Sequence, residues 1–359
     1  MALDTSYRLL QEHLDLLTGF PKTESGIEIA ILKKIFTAEE AEMAIKLGPK
    51  PESIDTFCKR TDIEFAKAEE MLEEMAKKGQ IFRMRIPDGV HYSASPFAPG
   101  IYEYQLNTID LELAEMMEVF FNETSEEIVT SNDTQVFRIL PVDENISNKM
   151  EIMPYDRIKE LIRAQRSIAV ADCICRKEKR IVGEECKHMD EVCLVFSHMA
   201  KYYVENGMAR FITVDEAVEV LDKSEKDGLV HSPQNAQRPM AICNCCGCCC
   251  GILRGITELN IDASKVIRSD FYAVCDAELC SGCEECLERC HVNAITMVDE
   301  IADIKREQCI GCGLCVTTCP TESLKLVRKP SEELFEPPTS MGEVFIRMAS
   351  EKAQLRESK

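Results

Sequence analysis

The chain has 359 residues, 45% apolar and 29% charged, with a formal net charge of −21. That length holds roughly two or three domains, and no apolar run approaches the ~18 residues of a membrane helix. The excess of acid argues against sequence-independent attraction to nucleic acid or anionic lipid.

The opening MALDTSYRLLQEHLDLL lacks a basic n-region and carries acids throughout, so it does not read as a signal peptide. A cytoplasmic protein without membrane insertion is expected. Twenty cysteines in such a chain read as metal ligands kept reduced rather than as a disulfide scaffold. They are unevenly placed. Cys58 is alone in residues 1–172, and the rest lie between Cys173 and Cys319.

Residues 1–107 form the first expected domain, winged-helix-like over 25–95. SGIEIAILKKIF has apolar residues at helical spacing, and Thr37 with Glu40 forms a capping box for AEEAEMAIKL. ESIDTFCKR, a turn at Thr61–Asp62, and IEFAKAEEMLEEMAKKG read as a helix–turn–helix ended by Gly79. IFRMRI–PDG–VHYSAS reads as a hairpin, the wing. Its would-be recognition helix carries Glu64, Glu69, Glu70, Glu73 and Glu74 against Lys67, Lys77 and Lys78. A helix entering the major groove meets phosphates and carries the opposite bias. DNA binding is therefore not expected, and the fold serves better as a scaffold or docking module. Cys58 reads as a small core residue.

Residues 108–272 form a cysteine-rich middle domain with an α/β rhythm. An amphipathic helix (108–130) precedes VFRILPV, a strand or linker. PYDRIKELIRAQ is a helix, SIAVA a strand, CLVF a strand, SHMAKYYVENG and VDEAVEVLDKSEKDG helices, and PMAIC a strand. The cysteines are expected on loops just past strand ends. They are Cys173, Cys175, Cys186 and Cys193, then Cys243, Cys245, Cys246, Cys248, Cys249 and Cys250. The run RKEKR (Arg176, Lys177, Lys179, Arg180) directly follows the first thiol pair and reads equally as a solvated face or as charge compensation for thiolates. Three adjacent cysteines exceed what one cubane loop uses. In an extended chain Cys248 and Cys250 face one site and Cys249 another. The stretch CNCCGCCCG is thus expected to be half of a split metal site completed by Cys173 to Cys193. It supplies one or two iron–sulfur clusters and leaves room for an open or reactive thiol. Its C-C-G triplets at 245–247 and 249–251 resemble the cysteine-rich motif of heterodisulfide-reductase-type subunits, which hold a noncubane cluster and work on disulfides. Cys193 lies too far upstream for that pattern, and the C-x2-C at a suitable distance, Cys283 to Cys286, belongs to the next motif. His188 and His198 are left out of the ligand set.

Residues 273–329 carry the firmest pattern. CSGCEECLERC and CIGCGLCVTTC are both C-x2-C-x2-C-x3-C, with counterparts 29 positions apart (Cys280/Cys309, Cys283/Cys312, Cys286/Cys315, Cys290/Cys319). Three thiolates at x2 intervals reach three corners of one cubane, and the fourth points to the neighbouring cluster. One [4Fe–4S] cluster is therefore expected on Cys280, Cys283, Cys286 and Cys319, the other on Cys309, Cys312, Cys315 and Cys290. Gly282, Gly311 and Gly313 let the backbone close around them. Zinc, held by four ligands in two pairs, fits this register worse. The segment resembles the bacterial two-cluster [4Fe–4S] ferredoxin family, which implies a small α+β module with clusters close enough for electron hopping. One departure is His291 where the family has Pro. It bears on the turn after Cys290, or on that cluster's potential, and leaves ligation intact. Residues 330–359, a Pro-rich link and a polar helix GEVFIRMASEKAQLRE, are expected as a docking tail.

The expected fold class is α+β multidomain: winged-helix-like N-terminus, α/β middle domain, ferredoxin-like dicluster domain. Taken whole, the chain is similar to proteins of strict anaerobes that join these three parts, which implies anaerobic redox metabolism and names no substrate. The leading expectation is an electron-transfer protein acting with redox partner proteins or as a subunit of a larger complex. Two alternatives stand beside it: an oxidoreductase whose reactive middle cluster or thiol is fed by the ferredoxin domain, and an Fe–S redox-sensing transcription regulator. No G-x-G-x-x-G or P-loop supports a nucleotide site.

Overall fold

The leucines of the opening segment recur at helical spacing, and the chain begins with a helix, Ala2–Thr18, that buries Tyr7, Leu10 and Leu14. This helix was not foreseen as an element, although its periodicity was present in the sequence. The computed structural model describes residues 2–146, 153–258 and 261–357. It is a mixed helix-and-sheet protein.

Helices Ile27–Ile35, Ala38–Ala44, Ile54–Thr61 and Phe65–Lys77 follow, then the hairpin Phe82–Ile86 with Gly89–Ser93, to which Glu52–Ser53 adds a short third strand. The Thr37–Glu40 capping box forms in both directions. Asp62 closes its helix in the left-handed conformation (φ 55°). Gly79 is also left-handed (φ 72°), and a Cβ there would meet Tyr104 Cβ at 2.7 Å, so glycine is required twice over. Cys58 packs half-buried against the core.

The middle segment is built on a five-stranded sheet in the order Ala209–Ile212, Ile168–Asp172, Glu191–Phe196, Ala241–Cys245, Val230–Pro233. Every neighbouring pair is antiparallel. Helices and strands alternate in sequence as expected, but the parallel sheet that an α/β rhythm implies is not what forms. The connection through Ile174–Ile181 returns Glu191–Phe196 beside Ile168–Asp172 in the opposite sense, and Ser197–Glu205 then carries the chain across Ile168–Asp172 to Ala209–Ile212 on its far side.

Burial on both faces of this sheet explains why residues 168–171 (IAVA) have no polar position. Ile168 and Val170 face the helices Ile158–Arg163 and Val214–Lys226, joined by Leu194, Phe196 and Ile242. Ala169, Ala171 and Val195 face the other way, into one core that continues to Leu10, Phe20 and Leu72 of the N-terminal helices. The N-terminal helices therefore cover one face of the middle sheet. Polar contacts fix the join. Tyr202 Oη donates to the carbonyls of Ala76 and Ile81, both at 2.9 Å, and Arg83 reaches Glu205 at 2.7 Å.

VFRILPV forms only isolated bridges, Phe137 with Gln234 and Arg138 with Arg268. The ferredoxin segment contains two antiparallel pairs, Phe271–Cys275 with Leu324–Arg328 and Ile295–Val298 with Ile301–Ile304. The last helix, Met341–Glu357, seats Met341, Val344 and Met348 beside Ala236, and Lys352 Nζ donates to the Asp15 carbonyl at 2.6 Å. The tail docks on its own chain. Among the described residues no helix is long and apolar enough to cross a membrane.

Candidate metal centres

The internal duplication extends to the backbone. Gly282 and Gly311 (φ 68° and 65°), Glu284 and Gly313 (64° and 78°), and Asn293 and Glu322 (53° and 54°) are left-handed pairs at the same 29-residue offset as the cysteines. The first of each run opens the loop between thiols, and the second starts a short helix, Glu285–Glu288 or Leu314–Thr317. At Gly311 an added Cβ would lie 2.2 Å from the Phe271 carbonyl, so no side chain fits.

These loops hold two hollows. The first is lined by Cys280, Cys283, Cys286 and Cys319. The second is lined by Cys290, Cys309, Cys312 and Cys315. The fourth cysteine of each run thus lines the hollow of the other run. Donors aim at the sulfurs: Ala273 N–H at Cys309 Sγ (3.4 Å), Ala294 N–H at Cys290 Sγ (3.2 Å), and the Ser323 hydroxyl beside Cys319 Sγ (3.2 Å). Four thiols around a hollow, with amide donors to the sulfurs, is the donor chemistry that suits a [4Fe–4S] cluster. The two hollows differ. Burial pushes the Cys312 thiol up to about 12 and raises Cys315 and Cys290 as well. At Cys319 burial is outweighed by Ser323, Leu324 and Thr321, leaving it lowered to about 7. Cys283 is exposed. Cys275, at the end of its strand, sits beside Cys280.

The ten middle cysteines separate into two sets. In the strand Ala241–Cys245 successive side chains alternate, so Cys243 and Cys245 share a face. They meet Cys173, Cys175, Cys193 and Cys250 there. Cys173 and Cys175 interact directly, Cys245 bonds Cys243 and Cys250, and Cys193 faces Cys243 and Cys173. Cys173 caps the helix Ile174–Ile181, and Cys250 sits at the head of Gly251–Glu258, where the amides of Ile252 and Leu253 point at it. The second set is Cys186, Cys246, Cys248 and Cys249, whose sulfurs all lie within 4.8 Å of one another.

Two expectations are corrected. Cys248 and Cys249 face together and Cys250 faces away, because Gly247 to Cys249 is a turn, not an extended strand whose residues alternate. The thiols are also not all on loops past strand ends: Cys193, Cys243 and Cys245 lie within strands and Cys175 within a helix. Each set nevertheless brings thiols from before residue 200 together with thiols of the CNCCGCCCG stretch.

Of RKEKR, Arg176 lies against the thiols and Arg180 stands near Cys186 and Cys249. Arg176 is fully buried and donates to the carbonyls of Met189 (2.7 Å) and Asn244 (2.8 Å). Burial opposes its charge, but Cys173, Cys246 and Cys245 outweigh that and hold it cationic. Lys177 bonds the Leu106 carbonyl, Lys179 bonds Glu118 and Glu184, and Arg180 pairs with Asp190. In the close set the Cys246 thiol is lowered to about 4, first by its bond from Cys249 and against its burial, with help from Arg176. Cys248 is correspondingly pushed up to about 12, by burial and then by the charge on Cys246. A cation held by these four thiols would displace their remaining protons.

Sequence reasoning missed the groups behind the thiols. Asn244 Nδ2 donates to the Val192 carbonyl at 2.7 Å, and its Oδ1 meets His231 Nδ1 at 2.5 Å. Glu103 is raised to about 7 by burial, beside Cys173. The most consequential is His291. Its Nδ1 accepts the Gly247 N–H at 3.1 Å and its Nε2–H donates to the Gly228 carbonyl, a neutral imidazole whose pKa burial lowers. Arg289 Nη2 adds a bond to the Glu225 carbonyl at 3.0 Å. His188 lies beside it, ring centroids 5.9 Å apart, and pairs with Asp227.

Residues 279–323 match the family model of the 4Fe-4S dicluster domain. No curated protein matches the chain. The C-terminal unit therefore carries a 4Fe–4S dicluster domain, and an iron–sulfur electron-transfer role with redox partners follows from it.

Proposed function

We propose that this chain is an iron–sulfur electron-transfer protein of oxygen-free cytoplasm with three cluster sites. Cys280, Cys283, Cys286 and Cys319 hold one [4Fe–4S] cluster. Cys290, Cys309, Cys312 and Cys315 hold the second. Four of Cys173, Cys175, Cys193, Cys243, Cys245 and Cys250 hold a third in the middle unit. When bound, such clusters supply one-electron chemistry. The chain's own residues set spacing, charge and exclusion of water. One observation carries the reading: Gly247, inside the cysteine-rich turn, is hydrogen-bonded to His291, the residue after Cys290. In the same apolar cluster Cys245 and Cys250 pack with Cys290, Cys309 and Cys312. The middle site and the second ferredoxin site thus share a wall, which suits electron passage between them. Iron and acid-labile sulfide analysis of anaerobically purified protein tests this. About twelve cubane irons support three clusters, and about eight leave only the ferredoxin pair.

A second reading, an oxidoreductase, draws on the count of six thiols in the buried set, two more than a cubane uses. A change in one cluster's spectrum on adding a disulfide substrate favours it. A chain in which every cluster has four protein ligands excludes it. The regulator reading has less support. Lys77 and Lys78 at the end of the helix before the wing, and Arg83 and Arg85 of the wing, pair with Glu74, Glu40, Glu73 and Glu205 of the same chain. That pairing suits a winged-helix-like unit used as a scaffold.

A further inference from the structure

We infer that Cys186, Cys246, Cys248 and Cys249 form a mononuclear, four-thiolate metal site, distinct from every cluster site and built for one zinc-type ion. The argument is one of size. Zinc–sulfur bonds of about 2.3 Å in a tetrahedron place the sulfurs about 3.8 Å apart. The separations here are 3.6 Å for Cys248–Cys249, 3.7 Å for Cys186–Cys248 and 4.0 Å for Cys186–Cys246. A cubane binds each thiolate on a different iron, with the whole cage between them, so its thiolates stand much farther apart.

The same chain supplies the comparison. Among the described residues, this is the one group of three or more potential ligands that closes to within 4.8 Å. The eight ferredoxin cysteines line two hollows instead, and neither set of four closes to that distance. The buried set of six is likewise not drawn together to that distance. Tight and open cysteine groups therefore coexist in one molecule, and the tight one has the dimensions of a single ion.

Charge and position agree with this. Four thiolates around a divalent ion leave a net negative charge, and Arg176 beside Cys246 offsets it, with Arg180 near Cys186 and Cys249. The site is closed by four protein ligands, which is the structural type of zinc site rather than the catalytic one with an open position. It joins the loop carrying Cys186 to the turn that carries Gly247. An ion there holds Gly247 where His291 receives its N–H. The spacing C-x-C-C with one remote cysteine is not a paired C-x2-C pattern, so the sequence alone did not reveal it.

Elemental analysis of the anaerobically purified full chain, paired with acid-labile sulfide, tests the assignment. The expected result is one zinc per chain, or one iron in excess of sulfide. Cys248→Ser and Cys186→Ser each remove that ion and leave sulfide unchanged. Cys58→Ser retains it. A wild-type protein with no such ion, or variants that lose iron and sulfide together, overturns the assignment. Should the variants not fold, X-ray absorption at the zinc edge of the wild type decides, since the clusters contribute nothing there: four sulfur neighbours at about 2.3 Å support the site, and oxygen or nitrogen neighbours overturn it.

Discussion

At the scale of single residues, the two ferredoxin hollows are unequal in ways that set potentials. Ser323 is buried, and its hydroxyl lies 3.2 Å from Cys319 Sγ. A ligated thiolate can only accept, so the hydroxyl donates. Donors to cluster sulfurs stabilise the more negative, reduced state and raise the potential, as does exposure to water. The first hollow has this donor and an exposed ligand, Cys283, while Cys312 and Cys315 of the second are strongly desolvated. The first cluster is therefore expected to have the higher potential. Ser323→Ala removes one hydrogen bond of about 0.5–1.5 kcal/mol. At 59 mV per tenfold for one electron, that lowers its potential by roughly 20–60 mV. A redox titration followed by electron paramagnetic resonance reads the shift, and an unmoved potential means the hydroxyl serves Cys275 instead.

Among the elements, the turn Cys246–Cys250 and the loop after Cys290 are latched to each other. The latch consists of His291 between Gly247 and Gly228, with Arg289 on the Glu225 carbonyl. A Cβ on Gly247 would lie 2.7 Å from the His291 carbonyl, so the two backbones are in contact. His291→Phe keeps the ring but loses both hydrogen bonds and leaves the buried Gly228 carbonyl without its donor, a loss of about 1–3 kcal/mol. All eight ferredoxin ligands remain. The expected outcome is full ferredoxin-site iron, a lower melting temperature, and slower electron exchange between the ferredoxin and middle centres in freeze-quench experiments. Unchanged exchange would separate the two centres functionally. The latch marks where legibility in the sequence ends. That the fourth cysteine of each ferredoxin run lines the other run's hollow was readable because a local spacing and a 29-residue repeat determine it. The grouping of the middle thiols was not. It depends on a turn at Gly247, on the antiparallel pairing of Val230–Pro233 with Ala241–Cys245, and on a loop sixty residues upstream. His291 stood out as the departure from the ferredoxin pattern, but its partner is a backbone amide and no side-chain pattern announces one.

For the molecule as a whole, the question is whether the N-terminal helices form a separable unit. Alternation in Ile168–Asp172 sends Ala169 and Ala171 toward those helices, and their core is continuous with Val195, Tyr202 and Tyr203. Arg83 is central to the join: 3% exposed, 2.7 Å from both Glu73 and Glu205, and over the Tyr202 ring. Removing one member of a buried ionic group strands its partners, at about 3–5 kcal/mol when burial is complete. Glu73 and Glu205 are partly exposed, and Arg85 also contacts both, so Arg83→Met is expected to fall below that range, about 1–3 kcal/mol. Deleting residues 1–107 is far more damaging. It uncovers the alanine face of the sheet and the tyrosines of Ser197–Glu205, a contiguous apolar surface of the kind soluble domains do not expose. The middle thiols lie directly behind that face, since Cys175 and Cys193 pack against the same core. The truncated chain is therefore expected to be insoluble, or to bind only the irons of the dicluster domain. The intact protein should lose its middle-unit metal and its N-terminal helices in one calorimetric transition. A soluble 108–359 fragment with its full metal content would show that the N-terminal unit is an appendage and that the wing's contacts to Glu205 are incidental to the metal sites.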